Sequence, residues 1–214
     1  MSGPIGEASP RLKARIAGGL WLAVIVTGIF AELFVRSTLI VSGDAAATAR
    51  RIMASQALFR LGFVADLMSG VCYLGVIFYL YELLRPVSRS LSRLAAFFGV
   101  AGSAIFALNL VNMIAPLVLL GGGHGLAAFR FDQLQALAYA FLRLHGYGYG
   151  LSLVFFSGFY LSLVGVLVFR STFLPRILGV LLTIAGVCYL IGCFADFLAP
   201  RSPTYSPRTY SCPA

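Results

Sequence analysis

Residues 61–84 read LGFVADLMSGVCYLGVIFYLYELL, and this stretch decides the fold. The apolar core of a bilayer takes about 20 mostly apolar residues in helical form, and this run supplies them with Asp66 in its interior. Leu, Val and Ile follow one another here instead of alternating with polar residues, so the run reads as a helix and not as a barrel strand. Four further stretches qualify on either side: Ile16 to Val35, Leu94 to Leu120, His145 to Phe169 and Ile177 to Leu198. The one from Leu94 is the longest, and has to tilt or stop near Pro116. The expected fold is an all-α integral membrane protein, a bundle of about five transmembrane helices forming a single domain over 16–198. Residues 1–15 are read as a cytoplasmic tail. Residues 199–214, with four prolines among Ser, Thr and Tyr, are read as disordered.

Composition points the same way. Of 214 residues, 60% are hydrophobic and 11% charged, with a mean hydropathy of +0.93. A soluble domain carries about a quarter of its residues as charged side chains. The 16 basic and 7 acidic residues give a net charge of +9, and 15 of the 16 are Arg. They sit singly at the ends of the apolar runs, where long side chains reach the headgroups, so nucleic-acid binding is excluded. Arg11, Lys13 and Arg15 precede an uncharged stretch from Ile16 to Ala31. That stretch is longer than a signal-peptide core and no small-x-small cleavage site follows, so a retained first helix is expected.

Flanking basic residues set orientation. With the N-terminus cytoplasmic, the inner segments 1–15, 85–93 and 170–176 hold eight Lys or Arg, and the outer segments 36–60, 121–143 and 199–214 also hold eight. The inner eight lie in 31 residues and the outer eight in 64, so density favours N-inside. Two outer connections are expected to be amphipathic helices lying at the membrane surface. One follows Ser42-Gly43-Asp44 to Leu58. The other covers 132–143, opened by a capping box of Asp132 and Gln135 and leading into the fourth span.

Ionisable residues within a membrane are costly and point to function. Under this topology Glu32, Asp66, Asn109, Asn112, His145 and Asp196 all fall in the outer part of their spans, and the inner halves are almost purely apolar. Helical spacing extends the layer: Asp66, Ser69 and Tyr73 share a face, as do His145, Tyr149 and Ser152, and Tyr189, Cys193 and Asp196. The six named residues are the candidates for an outward-facing polar pocket. Each also has a plainer role available. Glu32 stands four residues before Arg36, the favourable order for a local ion pair. Asn109 and Asn112 suit interhelical hydrogen bonds worth about 0.6 kcal/mol each. Asp196 is near a helix end, and His145 can bond a carbonyl at a helix start. Asp66 differs. Arg60 is six residues away on another face, so Asp66 must meet Arg36, Arg143 or His145 from another element, or stay protonated.

No cofactor or metal is called for. Glu, Asp and His are acceptable ligands, but no H-x-x-x-H or similar spacing fixes them, and no G-x-S-x-G turn supplies a serine nucleophile. Gly146-Tyr147-Gly148-Tyr149-Gly150 opens a membrane helix with no strand before it, so it is no dinucleotide fingerprint. Gly146 and Gly150 are spaced for close helix approach instead. Gly121-Gly122-Gly123-His124-Gly125 is a flexible turn. Cys72, Cys188, Cys193 and Cys212 indicate no disulfide framework.

Three blocks carry a family resemblance. They are Gly28-Ile29-Phe30-Ala31-Glu32 running through Val35-Arg36-Ser37 to Gly43-Asp44-Ala45-Ala46-Ala47-Thr48; Leu58-Phe59-Arg60-Leu61-Gly62 with Val64-Ala65-Asp66; and Phe173-Leu174-Pro175-Arg176-Ile177-Leu178-Gly179-Val180-Leu181-Leu182. Leu84-Arg85-Pro86-Val87, Leu144-His145-Gly146-Tyr147-Gly148 and Leu153-Val154-Phe155-Phe156 support them. With these the chain resembles a bacterial membrane family known as domain of unknown function 4386, over roughly residues 14–200. The resemblance implies a multi-pass bacterial inner-membrane protein and supplies no activity, substrate or cofactor. The expected function is binding or transport of a small ligand or lipid headgroup through the polar pocket, with the bilayer as the constant partner and the oligomeric state open. The alternative is a structural or partner-binding protein whose polar layer only fixes packing. A metal-assisted hydrolase built on Asp66, His145 and Asp196 ranks behind both.

Overall fold

The computed structural model describes residues 9–122, 124–126 and 128–198. The expected tail over 199–214 and most of the N-terminal tail lie outside them. Besides a single 3-10 turn at His124–Leu126, six helices are present among the described residues, with no strand: α1 (Pro10–Leu39), α2 (Ala45–Ala54), α3 (Gln56–Leu84), α4 (Arg89–Leu120), α5 (Phe131–Arg170) and α6 (Arg176–Leu198). All but α2 are long and apolar enough to cross a membrane. The protein is therefore a multi-pass membrane protein, and each of the five expected spans falls within one of these helices.

Local chemistry sets the helix starts. Pro10 opens α1 where its missing N–H costs nothing, and the Leu12 amide donates to Ser9 Oγ at 3.3 Å. Asp44 caps α2, accepting from Ala47 N–H at 2.8 Å, and Ser88 caps α4. Three expectations are corrected. Helix α2 stops at Ala54 and not at Leu58, because Ser55 leaves helical geometry before α3 begins. The helix over 132–143 is continuous with the fourth span and starts at Phe131. Its cap is Arg130, whose N–H donates to Gln133 Oε1 at 3.0 Å, and Asp132 pairs with the Arg130 guanidinium instead. Helix α4 runs through Pro116 to Leu120. The proline only removes the partner of the Asn112 carbonyl one turn back.

Helices α1, α3, α4, α5 and α6 pack antiparallel, each on the next, with α2 laid against the ends of α4 and α5. The register is visible in single contacts. Lys13 meets Glu82 and Arg36 meets Asp66 between α1 and α3. Gly70 faces Phe106, and Gly99 faces Ile77, between α3 and α4. Gly102 faces Phe156 between α4 and α5, and Gly165 faces Thr183 between α5 and α6. The proximal end of the bundle thus holds the start of α1 with the α3–α4 and α5–α6 turns, and the distal end holds α2.

Two large apolar clusters fill the bundle, with a smaller one of Leu153, Val154 and Cys193 where α5 meets α6. Val35, Ile52, Phe59, Met113, Leu134 and Leu142 belong to the distal one, into which α2 contributes Ala49 and Ile52. Ile77, Leu84, Ala95, Tyr160 and Leu167 belong to the proximal one. Where α5 crosses α6, backbones touch. A Cβ on Gly179 would lie 2.7 Å from the Gly165 carbonyl oxygen, so only glycine fits there. Gly146, expected at a close approach, has nothing within 4 Å of where its Cβ would be, and Gly148 instead backs onto the Asn109 side chain.

Candidate functional site: a polar layer beneath the distal cap

Two short stretches of helix are wound wider than α, one over Phe30–Arg36 in α1 and one over Val154–Tyr160 in α5. Such π turns re-aim side chains and are often found at functional sites. The sequence gives no signal for either. The first carries Glu32 and Arg36 on one turn. Arg36 Nε donates to Glu32 Oε2 at 2.6 Å, and its Nη1 donates to Asp66 Oδ2 at 2.6 Å. The i,i+4 pair and the unpartnered acid of α3 therefore share a single guanidinium. Burial is graded across this triad: the Asp66 side chain is 4% exposed, Arg36 14% and Glu32 44%.

A second network joins α4 to α5 at the same level. Asn109 Nδ2 donates to the His145 carbonyl at 2.8 Å and lies 3.2 Å from His145 Nδ1, which is 3.3 Å from the Asn109 carbonyl. Asn112 Nδ2 donates to Asn109 Oδ1 at 3.0 Å. Asn109 and His145 are both buried. This network closes on itself. It ties two helices across a contact that Gly148 makes possible.

The two networks adjoin. His145 and Tyr149 stand close enough to Arg36, Asp66 and Glu32 to feel their charges. Some polar atoms of the layer have no hydrogen-bond partner among the described residues: Arg36 Nη2, the second oxygen of Asp66 and His145 Nε2. None is sealed from outside, because the sealed atoms without partners are Tyr160 Oη and Ser162 Oγ. The apolar cluster that includes α2 covers the layer at the distal end. Glu32 is the layer's most exposed ion-paired member, so the layer opens sideways along α1.

Asp196 does not join. It is exposed near the end of α6, and Asp66, His145 and Asp196 form no metal-holding group among the described residues. The half of the bundle expected to be apolar also needs correction. Glu82, near the proximal end of α3, accepts from Lys13 Nζ and from Arg85 Nη1, both at 3.0 Å. Between the two ends, Tyr73 Oη donates to the Phe156 carbonyl within the second π turn, at 3.3 Å. The buried Tyr160 ring meets Tyr73 edge-on at 6.0 Å. An i,i+3 Glu82–Arg85 spacing was the available signal for the first of these. The others depend on register.

Comparisons with known proteins agree with this architecture without adding chemistry. A family model described as "Domain of unknown function (DUF4386)" matches residues 16–210. A relative from Archaeoglobus fulgidus, described only as an uncharacterized protein, is 37% identical over 112 residues. That match covers 52% of this chain and 52% of the relative, about half the length of each. No solved structure matches.

Proposed function

Since the chain belongs to the DUF4386 family, which brings no activity with it, we propose from the polar layer itself that this membrane protein binds a small cationic ligand. The ligand is the ammonium of a lipid headgroup or a free amine, seated beside Glu32, Arg36 and Asp66. One observation carries this reading. Two carboxylates share one guanidinium, which leaves one uncompensated negative charge within the membrane domain when both acids are ionised. A buried net charge is expensive in a low-dielectric setting unless a counter-charge joins it. The exposed Glu32 gives lateral access from lipid, and His145 Nε2 and the second oxygen of Asp66 offer further hydrogen bonds. In the same reading the N-terminus is cytoplasmic and the layer belongs to the outer half of the bilayer.

The packing alternative draws its support from the self-contained Asn109–Asn112–His145 network. One experiment separates the two. Wild type, Glu32→Gln and Asp66→Asn are purified in neutral detergent, and retained small molecules and lipids are identified by mass spectrometry alongside melting temperature. An amine-bearing ligand held by wild type and reduced about tenfold or more in both variants supports the site. A wild type that holds none, or variants that hold as much, leaves the layer as packing alone.

A further inference from the structure

The proximal end presents an unusual concentration of unpaired charge. Arg89 and Arg93 project from the first turns of α4, Arg170 ends α5 and Arg176 begins α6. All four are exposed, and none has a carboxylate partner among the described residues. Glu82, the proximal acid among those residues, is already taken by Lys13 and Arg85. At the distal end Arg36 has two carboxylates and Arg130 has Asp132, while Arg50 and Arg60 are exposed without a carboxylate partner among the described residues and so suit a control.

The fold places all four at the same end of the bundle. Val87 and Leu91 from the α3–α4 turn and the start of α4, and Leu174 from the α5–α6 turn, pack against the same proximal cluster. Helices α4 and α6 begin here and α3 and α5 end here, so the helix dipoles largely offset one another and the positive potential comes from the guanidiniums. Exposed Phe169, Phe173 and Ile177 flank Arg170 and Arg176, providing apolar surface next to the charge. Like charges held together at a membrane surface are stabilised by an anion, and basic sites between transmembrane helices suit anionic headgroups.

We propose that the face between the α3–α4 and α5–α6 turns binds the phosphodiester headgroup of an anionic phospholipid. The guanidiniums hold its phosphate oxygens, and the acyl chains run along Phe169, Phe173 and Ile177. This site is independent of the polar layer at the other end of the bundle.

The test uses the full chain in neutral detergent, with phosphatidylglycerol, phosphatidylcholine or inorganic phosphate added separately. Retained lipid is measured by mass spectrometry, together with the melting temperature. Phosphatidylglycerol is expected to be retained and to raise the melting temperature, with phosphatidylcholine and phosphate doing neither. In a variant combining Arg89→Gln, Arg93→Gln, Arg170→Gln and Arg176→Gln, retention is expected to fall about tenfold or more. A distal control with Arg50→Gln and Arg60→Gln is expected to retain the lipid as wild type does. If the fourfold variant does not fold, Arg93→Gln with Arg176→Gln carries the same comparison. Unchanged retention in the proximal variant overturns the proposal, as does an equal loss in the control. Equal effects of phosphatidylcholine overturn it too, and a full effect of phosphate alone reassigns the face to a free anion.

Discussion

Arg36 sets the energetics of the polar layer, because the Asp66 side chain is 4% exposed and has no other ion-pair partner among the described residues. Removing one side of a buried ion pair costs about 3–5 kcal/mol, much of it the stranded charge, whereas replacing both sides with apolar residues costs far less. Arg36→Met, which strands the buried Asp66 carboxylate, is therefore expected to be strongly destabilising, Asp66→Asn milder because Arg36 keeps Glu32, and Arg36→Met with Asp66→Leu milder than Arg36→Met alone. Thermal unfolding in detergent ranks the three. An equal loss in all of them would mean that this pair is not coupled. Tyr160 makes the opposite case. Its hydroxyl is buried without a partner in a residue 1% exposed, so Tyr160→Phe is expected to be neutral or to stabilise by about 1 kcal/mol in the same assay. The candidate site was partly legible at this scale. Spacing alone showed that Asp66 had no local partner and that Glu32 could pair with Arg36. That one guanidinium answers both acids follows from the α1–α3 register and from a π turn, neither of which periodicity encodes.

Long apolar helices could be read directly because hydrophobic length is a property of sequence alone. Their ends and contacts were harder. Gln133 and Gln135 are equally plausible capping partners by type, and only the start at Phe131 decides between them. Glycines show the same limit: the residue type announces permissiveness, while the neighbour that uses it is set by tertiary register. The α5–α6 crossing turns this into a contrast. A Cβ on Gly179 would meet backbone atoms, including Phe169 N at 2.5 Å, and backbone cannot yield as a side chain does. Gly179→Ala is thus expected to cost about 1–3 kcal/mol through overpacking. Gly19 has nothing within 4 Å, and Gly19→Ala is expected to be neutral or stabilising by up to about 1 kcal/mol, from helix propensity. Equal melting temperatures for the two variants would place the α5–α6 contact further apart than described.

For the whole molecule, the placement of charge bears on orientation in a way that counting could not. Basic residues at the two ends tie at eight in the sequence, but Arg36 is buried against Glu32 and Asp66 and is withdrawn from the headgroups. At the proximal end the arginines of the α3–α4 and α5–α6 turns remain exposed and unpaired, apart from Arg85. The positive-inside tendency acts on basic residues close to the helix ends, so it now favours a cytoplasmic proximal end more clearly than density did. On the proposed orientation the proposed anionic-lipid face is cytoplasmic, and the polar layer, net negative when both acids are ionised, belongs to the opposite half of the bilayer. Reporter fusions test this arrangement as a whole. A reporter active only outside the cytoplasm is expected to be silent when fused after Val87 and active when fused after Arg201. Neutralising Arg89, Arg93, Arg170 and Arg176 together is expected to weaken that difference, because on the proposed orientation it removes charge that favours a cytoplasmic proximal end. The reverse pattern in wild type, active at Val87 and silent at Arg201, would turn the bundle over and move the Glu32–Arg36–Asp66 layer to the cytoplasmic half.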